Sequence, residues 1–252
     1  MGIVIAAVDS SAAAGSVLSV ARAVAPLFHA DVEAVHVLED GGAAARAAGQ
    51  AAGVKLSEIS GPTVPALVTA ARTDEVVAMV VGARGTPAGR RPAGHVALEL
   101  ITMLRKPLVV VPPHTAGPSR LARVLVPLDG SAATAAAIRS TIDLVCGSEA
   151  EVVVLHVYEE ASLPSFSDQP QHETESWAKE FLARYCPSSA RAVRLELRVG
   201  APGEHVLAVA AEESADLIAL GWAQDLSTGR AAVVREVLER SSVPVLLVPV
   251  DA

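Results

Sequence analysis

A short glycine-containing segment in the first third of the chain has the residue types that bind an anion. Gly82–Gly85 reads Gly-Ala-Arg-Gly, eight residues follow, and Gly94 and His95 open the next predicted helix. Glycines directly after a strand allow turns of positive φ and a close approach to a phosphate. The N–H groups of Gly94, His95 and Val96 would lie at a helix N-terminus, where the helix dipole favours negative charge. The segment therefore predicts a phosphate site.

The glycine segment belongs to a pattern that the chain contains twice. Asp9 follows the first apolar run, and Asp129 follows a similar run 120 positions later (129 − 9). Gly82 has its counterpart in Gly221, 139 positions later (221 − 82), and Pro107 has one 137 positions later (244 − 107). Because matches recur in the same order along the chain, the sequence predicts two copies of one unit.

Apolar runs and helix-type spacings alternate in the first copy. Continuous apolar runs bounded by turn residues are typical of strands buried on both faces of a parallel sheet. The predicted strands are Ile3–Val8, Asp31–Leu38, Val54–Ile59, Val76–Val81 and Leu108–Val111. The predicted helices are one that is capped by Ser10 or Ser11 and runs to about Pro26, a helix or loop over residues 41–52, then Val64–Arg72 and Val96–Leu104.

The second copy follows the same order and adds one segment. That segment reads as a loop, Leu163–Pro170, followed by a helix, Gln171–Tyr185. Alternating strands and helices predict an α/β fold made of two doubly wound parallel sheets with right-handed crossovers. The composition of Pro113–Ser119 is typical of a linker, which divides the chain into residues 1–117 and 118–252.

The net charge of −8 is confined to the second copy. Residues 1–118 carry nine acidic and nine basic side chains, and residues 119–252 carry 19 and 11. An acidic surface repels phosphate backbones, so nucleic acid is excluded as a partner and any anion site is expected in the first copy. The apolar runs are far shorter than the roughly 20 residues of a spanning helix, so no membrane insertion is expected.

Several classes of chemistry are missing from the sequence. Cys146 and Cys186 have no CxxC spacing, which excludes a disulfide framework and a cysteine zinc site. With no signal-peptide pattern after Met1, a cytoplasmic location is expected. The chain has no P-loop, no GxSxG elbow and no HExxH motif. We therefore expect a binding protein without catalytic residues or a resident metal, with slow hydrolysis of a bound phosphate compound left open.

The repeated elements resemble those of a tandem universal stress protein. The resemblance is carried by Val-Asp-Ser-Ser at 8–11, Leu-Asp-Gly-Ser at 128–131, His-Val at 36–37, and the glycine motif ahead of the last strand. It implies that each copy is a five-stranded parallel sheet of the adenine nucleotide alpha hydrolase-like, Rossmann-like type. It also implies a stress-response regulator that pairs through its last strands, here Leu108–Val111 and Val245–Val248. The chain would then be an intramolecular pseudo-dimer or form a homo-oligomer.

Many members of that family bind ATP around a Gly-x2-Gly-x9-Gly-Ser/Thr motif. The resemblance thus implies ATP here, or ADP or AMP, with Mg²⁺. The first copy departs from the motif twice, because its spacer has eight residues and His95 stands where a hydroxyl residue is usual. The expected nucleotide contacts are Ala7, Val8, Asp9, Val37, Val81, Gly82, Arg84, Gly85, Gly94, His95, Val96 and Ala97.

Some of these features have a second interpretation. Asp9 matches a carboxylate that contacts the adenosine end of the nucleotide, but it could instead cap the next helix. His36, like His156, is expected to be a satisfied core histidine rather than a ligand. The alternative function is a scaffold or interaction protein that binds no nucleotide, which the short spacer and His95 support.

The second copy has lost most of the glycine motif. It keeps Gly221, but Gln224 stands at the second glycine, and Ala231 and Ala232 stand at the Gly-Ser positions. We therefore expect this copy not to bind nucleotide and to have a structural or dimerising role. Trp222 would either fill the vacated site or lie exposed at an interface.

Overall fold

The structure is a computed structural model that describes residues 2–38, 42–83, 93–113, 115, 117–128, 139, 150–158, 183, 193–225 and 231–249. Its strands are β1 (Gly2–Ala7), β2 (Ala30–Val37), β3 (Lys55–Ile59), β4 (Val76–Gly82), β5 (Leu108–Val111), β6 (Arg123–Pro127), β7 (Glu151–Tyr158), β8 (Val193–Val199), β9 (Leu217–Trp222) and β10 (Val245–Pro249). The helices in these ranges are α1 (Ala14–Val24), continued by a 3₁₀ turn (Ala25–Phe28), α2 (Ala43–Ala52), α3 (Thr63–Ala71), α4 (His95–Met103), α5 (Pro202–Glu212) and α6 (Ala232–Arg240).

The ten strands form one sheet in the order β3-β2-β1-β4-β5-β10-β9-β6-β7-β8. We call β1–β5 with their helices the N-terminal half and β6–β10 with theirs the C-terminal half. All neighbouring strands are parallel except β5 and β10, which join the halves in antiparallel fashion. The α/β fold with a doubly wound, mostly parallel sheet is thus confirmed.

The seam between the halves has two-fold symmetry. Val109 lies opposite Leu246, and Val110 and Leu108 lie opposite Val245 and Leu247. Because Leu108 corresponds to Val245 at the sequence offset of 137, a half-turn about the centre of the seam exchanges the two strands. The predicted pairing of the last strands is therefore confirmed.

Helices cover both faces of the N-terminal half. The buried side chains of α1 and α2 belong to one apolar cluster, and those of α3 and α4 belong to the other. Strand β4 contributes to both clusters, with Ala78 and Val80 in the first and Met79 and Val81 in the second. Burial on both faces explains why these strands are uninterrupted apolar runs.

The predicted strands of the N-terminal half are correct to within one residue at each end, but the start of α1 was predicted wrongly. The helix begins at Ala14 with Ala13 as its N-cap, and no side chain caps it. Ser11 is held instead by Asp9, whose Oδ1 accepts hydrogen bonds from the backbone N–H (3.0 Å) and the hydroxyl (2.5 Å) of Ser11. The N-cap, Ala13, is therefore two or three residues later than predicted.

Several sequence predictions lie outside the described residues. They are the loop and helix of the extra segment (apart from Ala183, which is helical), both cysteines, and Asp129. Residues 41–52, predicted as helix or loop, contain helix α2. None of the described helices is long and apolar enough to cross a membrane.

Candidate functional site

A cavity of about 560 Å³ opens at the carboxyl ends of β1, β2 and β4. Ten of the twelve predicted contact residues line it: Ala7, Val8, Asp9, Val37, Val81, Gly82, Gly94, His95, Val96 and Ala97. The other two, Arg84 and Gly85, lie outside the described residues. Sequence analysis missed a further ten lining residues: Ser10, Ser11, Ala13, Ala14, Val17, Val35, His36, Thr63, Leu67 and Ala83.

The path of the chain explains why the cavity forms here. Strand β1 lies between β2 and β4, with Ala7 paired to Val35 on one side and to Val81 on the other. The chain leaves β1 for α1 on one face and leaves β4 for α4 on the opposite face. Because the two helices diverge from neighbouring strands, a crevice opens between them, as at the switch points of other doubly wound sheets.

Helical spacing in the sequence could have identified some of the missed lining residues. Thr63 and Leu67 are one helical turn apart on α3, so they present one face to the cavity. Ala13, Ala14 and Val17 have the same spacing at the start of α1. Once strand order was known, helix periodicity would have placed these residues at the rim.

Asp9 carries the one carboxylate among the described residues that line the cavity. Its Oδ1 accepts two hydrogen bonds from Ser11, and the prediction that Asp9 could cap α1 is wrong, because the N-cap is Ala13 and no side chain caps the helix. Among the described residues nothing donates a hydrogen bond to its Oδ2. The Asp9 side chain is exposed at the cavity mouth, so this oxygen can accept a hydrogen bond from a ligand hydroxyl or amine.

The N-terminus of α4 lines the cavity. Its N-cap is Gly94, and no side chain caps this end of the helix. The N–H of Gly94 donates to the carbonyl of Ala83 at 2.6 Å, so this group already has a partner within the chain. The first N–H groups of a helix have no acceptor within the helix, which leaves those of His95, Val96 and Ala97 for a ligand.

The side chain of His95 is turned along its own helix. Its Nε2 lies 2.9 Å from Oε1 of Glu99, one turn further on, and the imidazole is 73% exposed. A phosphate at the helix N-terminus would therefore compete with Glu99 for this imidazole. No lysine or arginine is present among the described lining residues.

His36 confirms part of what the sequence predicted and adds a new feature. It is 6% exposed, and its Nδ1 lies 2.9 Å from the carbonyl oxygen of Val8, so it is a buried histidine with a backbone partner. It also lines the cavity. In the described part of the chain, no group of three or more His, Cys, Asp or Glu residues is placed to hold a metal ion.

The corresponding region of the C-terminal half is built differently. Trp222 occupies the position of Ala83 at the offset of 139, and it is 4% exposed. Of the two interpretations of Trp222, the exposed one is therefore wrong. Gln224, at the second glycine position, has a left-handed φ of 56° and donates from Nε2 to the carbonyl of Leu104, at the end of α4, at 2.5 Å.

Comparison with known proteins identifies the family. The sequence model of the universal stress protein family matches residues 121–249, which is just over half of the chain. The chain therefore belongs to the universal stress protein family. The matched residues lie in the C-terminal half. No curated protein matches the sequence.

Solved structures share the fold over the whole chain. A universal stress protein from Archaeoglobus fulgidus DSM 4304 has a TM-score of 0.71 and 18% identity, and the match covers 98% of each chain. A functionally unknown protein from Pseudomonas aeruginosa PAO1 has a TM-score of 0.73 and 13% identity, covering 99% of this chain and 92% of its own. At these identities the likeness is one of fold.

Proposed function

We propose that this universal stress protein binds ATP, or a related adenine nucleotide, in the cavity of its N-terminal half and acts as a stress-response regulator. One observation carries the proposal. All ten described residues that the family resemblance implies as nucleotide contacts, from four separate stretches of sequence, line the same cavity. Its volume of about 560 Å³ lies in the usual range of small-ligand sites.

The arrangement supports one orientation of the nucleotide. The phosphates would lie at the start of α4, where the N–H groups of His95 and Val96 and the helix dipole favour negative charge. The nucleoside would lie over β1 and β2, beside Asp9 and Val37. A carboxylate suits the hydroxyl and amino groups of a nucleoside and repels phosphate, which supports this orientation over its reverse.

We propose binding without rapid turnover. Phosphoryl transfer requires positioned cations and a group that orients the nucleophile. The sequence offers no P-loop and no further catalytic motif, and Asp9 is the one carboxylate among the described lining residues. Mg²⁺ would then be held mainly by the nucleotide phosphates.

The C-terminal half, as we propose, has a structural role and no nucleotide. The indole of Trp222 is buried where Ala83 lines the cavity of the N-terminal half. The side-chain amide of Gln224 donates a hydrogen bond to the carbonyl of Leu104 in the N-terminal half. With the division near residues 117 and 118, the protein would be a covalent pseudo-dimer of one binding domain and one supporting domain.

Isothermal titration with Mg-ATP tests the proposal. The unaltered protein is expected to bind ATP, and Gly82→Val, which adds a branched side chain to the cavity wall, is expected to weaken binding at least tenfold, about 1.4 kcal/mol. Gly221→Val is the matched control, because it makes the same change at the equivalent strand end of the C-terminal half. Absence of binding by the unaltered protein up to millimolar ATP would refute the proposal and favour the scaffold function.

A second measurement needs no added ligand. Mass spectrometry of the small molecules released when freshly purified protein is denatured is expected to detect an adenine nucleotide. Loss of that signal in Gly82→Val, with retention in Gly221→Val, would place it in the N-terminal half. An equal signal from all three proteins would argue against this cavity.

A further inference from the structure

His95 combines an exposed imidazole with a backbone N–H at the start of a helix. It is the first residue of α4, so its N–H is one of those that have no acceptor within the helix. The residue lines the cavity, and its side chain is exposed to solvent. Because the ring and this N–H belong to one residue, an anion bound at the start of α4 lies near the imidazole in every rotamer. The charge of the ring therefore affects how strongly the anion binds.

The pairing of His95 with Glu99 fixes which ring nitrogen carries a hydrogen. Nε2 lies 2.9 Å from Oε1 of Glu99. An ionised carboxylate only accepts hydrogen bonds, so Nε2 carries the hydrogen of the neutral ring and Nδ1 presents a lone pair. Glu99 and a phosphate would compete for this single hydrogen. The protonated ring has a hydrogen on each nitrogen, so Nδ1, which is nearer the backbone, can donate to a phosphate while Nε2 keeps its bond to Glu99.

The C-terminal half has the glutamate without the histidine. Glu236 corresponds to Glu99 at the offset of 137 (236 − 99), and Ala232 corresponds to His95 (232 − 95). Glu236 is paired instead with Arg240, whose Nη1 lies 2.6 Å from its Oε1. A glutamate at this helix position thus has a partner without a histidine one turn earlier. The pair of His95 and Glu99 belongs to the half with the cavity.

We infer that the cavity binds the phosphates of its ligand more tightly when His95 is protonated, so that ligand affinity rises as the pH falls. The inference rests on the proposed function and adds to it a control of affinity by protons. Histidine is the side chain whose ordinary change of charge falls between about pH 5 and pH 8. The imidazolium adds a positive charge and a second donor at the proposed phosphate position, and both favour binding.

The other charged groups around the imidazole ordinarily titrate outside this range. Apart from His95, Glu99 is the one charged residue of α4, and neither α3, which packs against α4, nor strand β4 contains any. Across the cavity lie Asp9 and a second histidine, His36, which is bonded to a backbone carbonyl. The arginines between β4 and α4 lie outside the described residues: Arg84, Arg90 and Arg91. Carboxyl groups ordinarily titrate near about pH 4 and guanidinium groups above about pH 12, so the two histidines are the groups to separate by experiment.

Isothermal titration with Mg-ATP at about pH 8 and about pH 6 tests the inference. The Kd of the unaltered protein is expected to be at least fivefold lower at the lower pH, which is the size expected for one exposed charge beside a phosphate. The substitution His95→Gln keeps a side-chain donor for Glu99 but cannot take up a proton. Its Kd is expected not to fall at the lower pH. A phosphate itself takes up a proton near about pH 6, but this affects both proteins equally, so the difference between them belongs to His95.

Proton uptake gives a second readout, and a histidine of the other half gives the control. If ligand binds the protonated ring more tightly, binding draws protons from the buffer. Titrations at about pH 7 in two buffers of different ionisation enthalpy measure this uptake, which is expected to be larger in the unaltered protein than in His95→Gln. His205→Gln removes a histidine near the start of α5 and is expected to keep both the pH dependence and the uptake.

Three results would overturn the inference, and they are distinguishable. If the unaltered protein binds Mg-ATP equally well at both pH values, protonation of His95 does not strengthen binding, while the proposed function stands. If His95→Gln keeps the pH dependence of the unaltered protein, another group, such as His36, is responsible for it. If the unaltered protein binds no ATP at either pH, the proposed function fails, and this inference fails with it.

Discussion

Replacing Trp222 with alanine tests whether the C-terminal half is filled where the N-terminal half is open. The indole is 96% removed from solvent, since it is 4% exposed. A buried aromatic side chain covers roughly 150–250 Å², which at about 25 cal/mol per Å² corresponds to about 4–6 kcal/mol as an upper limit. Measured Trp→Ala changes in cores cost about 3–5 kcal/mol, and we expect Trp222→Ala to fall in that range.

Urea unfolding followed by far-ultraviolet circular dichroism measures this loss. The midpoint of the transition is expected to fall sharply in Trp222→Ala and much less in Trp222→Phe, which keeps most of the ring volume. A dry apolar cavity of this kind can bind a small aromatic molecule. Added indole is therefore expected to raise the midpoint of Trp222→Ala and to leave the unaltered protein unchanged.

A loss of unfolding free energy below about 1 kcal/mol in Trp222→Ala would contradict the prediction. Such a loss would be close to the effect of a surface substitution, which is usually about 0.5 kcal/mol or less. It would mean that the indole covers a solvent-filled groove without packing against the core. The proposal that this half has lost its binding site through Trp222 would then fail. A large loss without rescue by indole would show that the surrounding core collapses into the space.

Three further predictions concern both halves. Ala83→Trp copies the C-terminal arrangement into the cavity wall and is expected to weaken Mg-ATP binding at least 100-fold by titration, about 2.7 kcal/mol, and unchanged affinity would contradict the placement of the site. Gln224→Ala removes the donor to Leu104 and is expected to cost about 1 kcal/mol in urea unfolding, and no change would show that this contact between the halves does not stabilise the protein. The hydrogen bond from Arg123 holds the pKa of Glu151 below its usual range, so this carboxylate stabilises the fold above its unfolded-state pKa, and the stabilisation is lost as pH falls through the folded-state pKa. Between about pH 7 and about pH 3, Glu151→Gln is therefore expected to lose less stability than the unaltered protein, and equal losses would contradict the assignment.

Strand positions were predictable because a strand buried on both faces is a continuous run of apolar residues. The apolar run Leu108–Val111 is β5 without any shift, since both of its faces are covered and prolines bound it. The start of α1 was not predictable in the same way. Serine is a common N-cap, but Asp9 draws Ser11 into a turn first, and that competition depends on side-chain geometry.

The candidate site also has features that the sequence predicts and features that it does not. Gly82 and His95 could be selected from residue types and their spacing and Asp9 from the family resemblance, and the fold brings them to one cavity. The bond from Gly94 N–H to Ala83, and the pairing of His95 with Glu99, depend on the conformation between β4 and α4. These contacts determine which N–H groups at the start of α4 remain without a partner, and the spacing of residues in the sequence does not predict them.

From residue types and spacing alone we predict two related α/β halves, an anion site in the first, and the loss of most of its glycine motif from the second. Apolar periodicity and glycine positions are local properties of the chain, so they can be read without coordinates. The burial of Trp222 at the position of Ala83, and the bond between the buried His36 and the carbonyl of Val8, emerge only from the folded structure. Burial and hydrogen bonding depend on which distant segments meet, and strand order fixes this only when the whole sheet has formed.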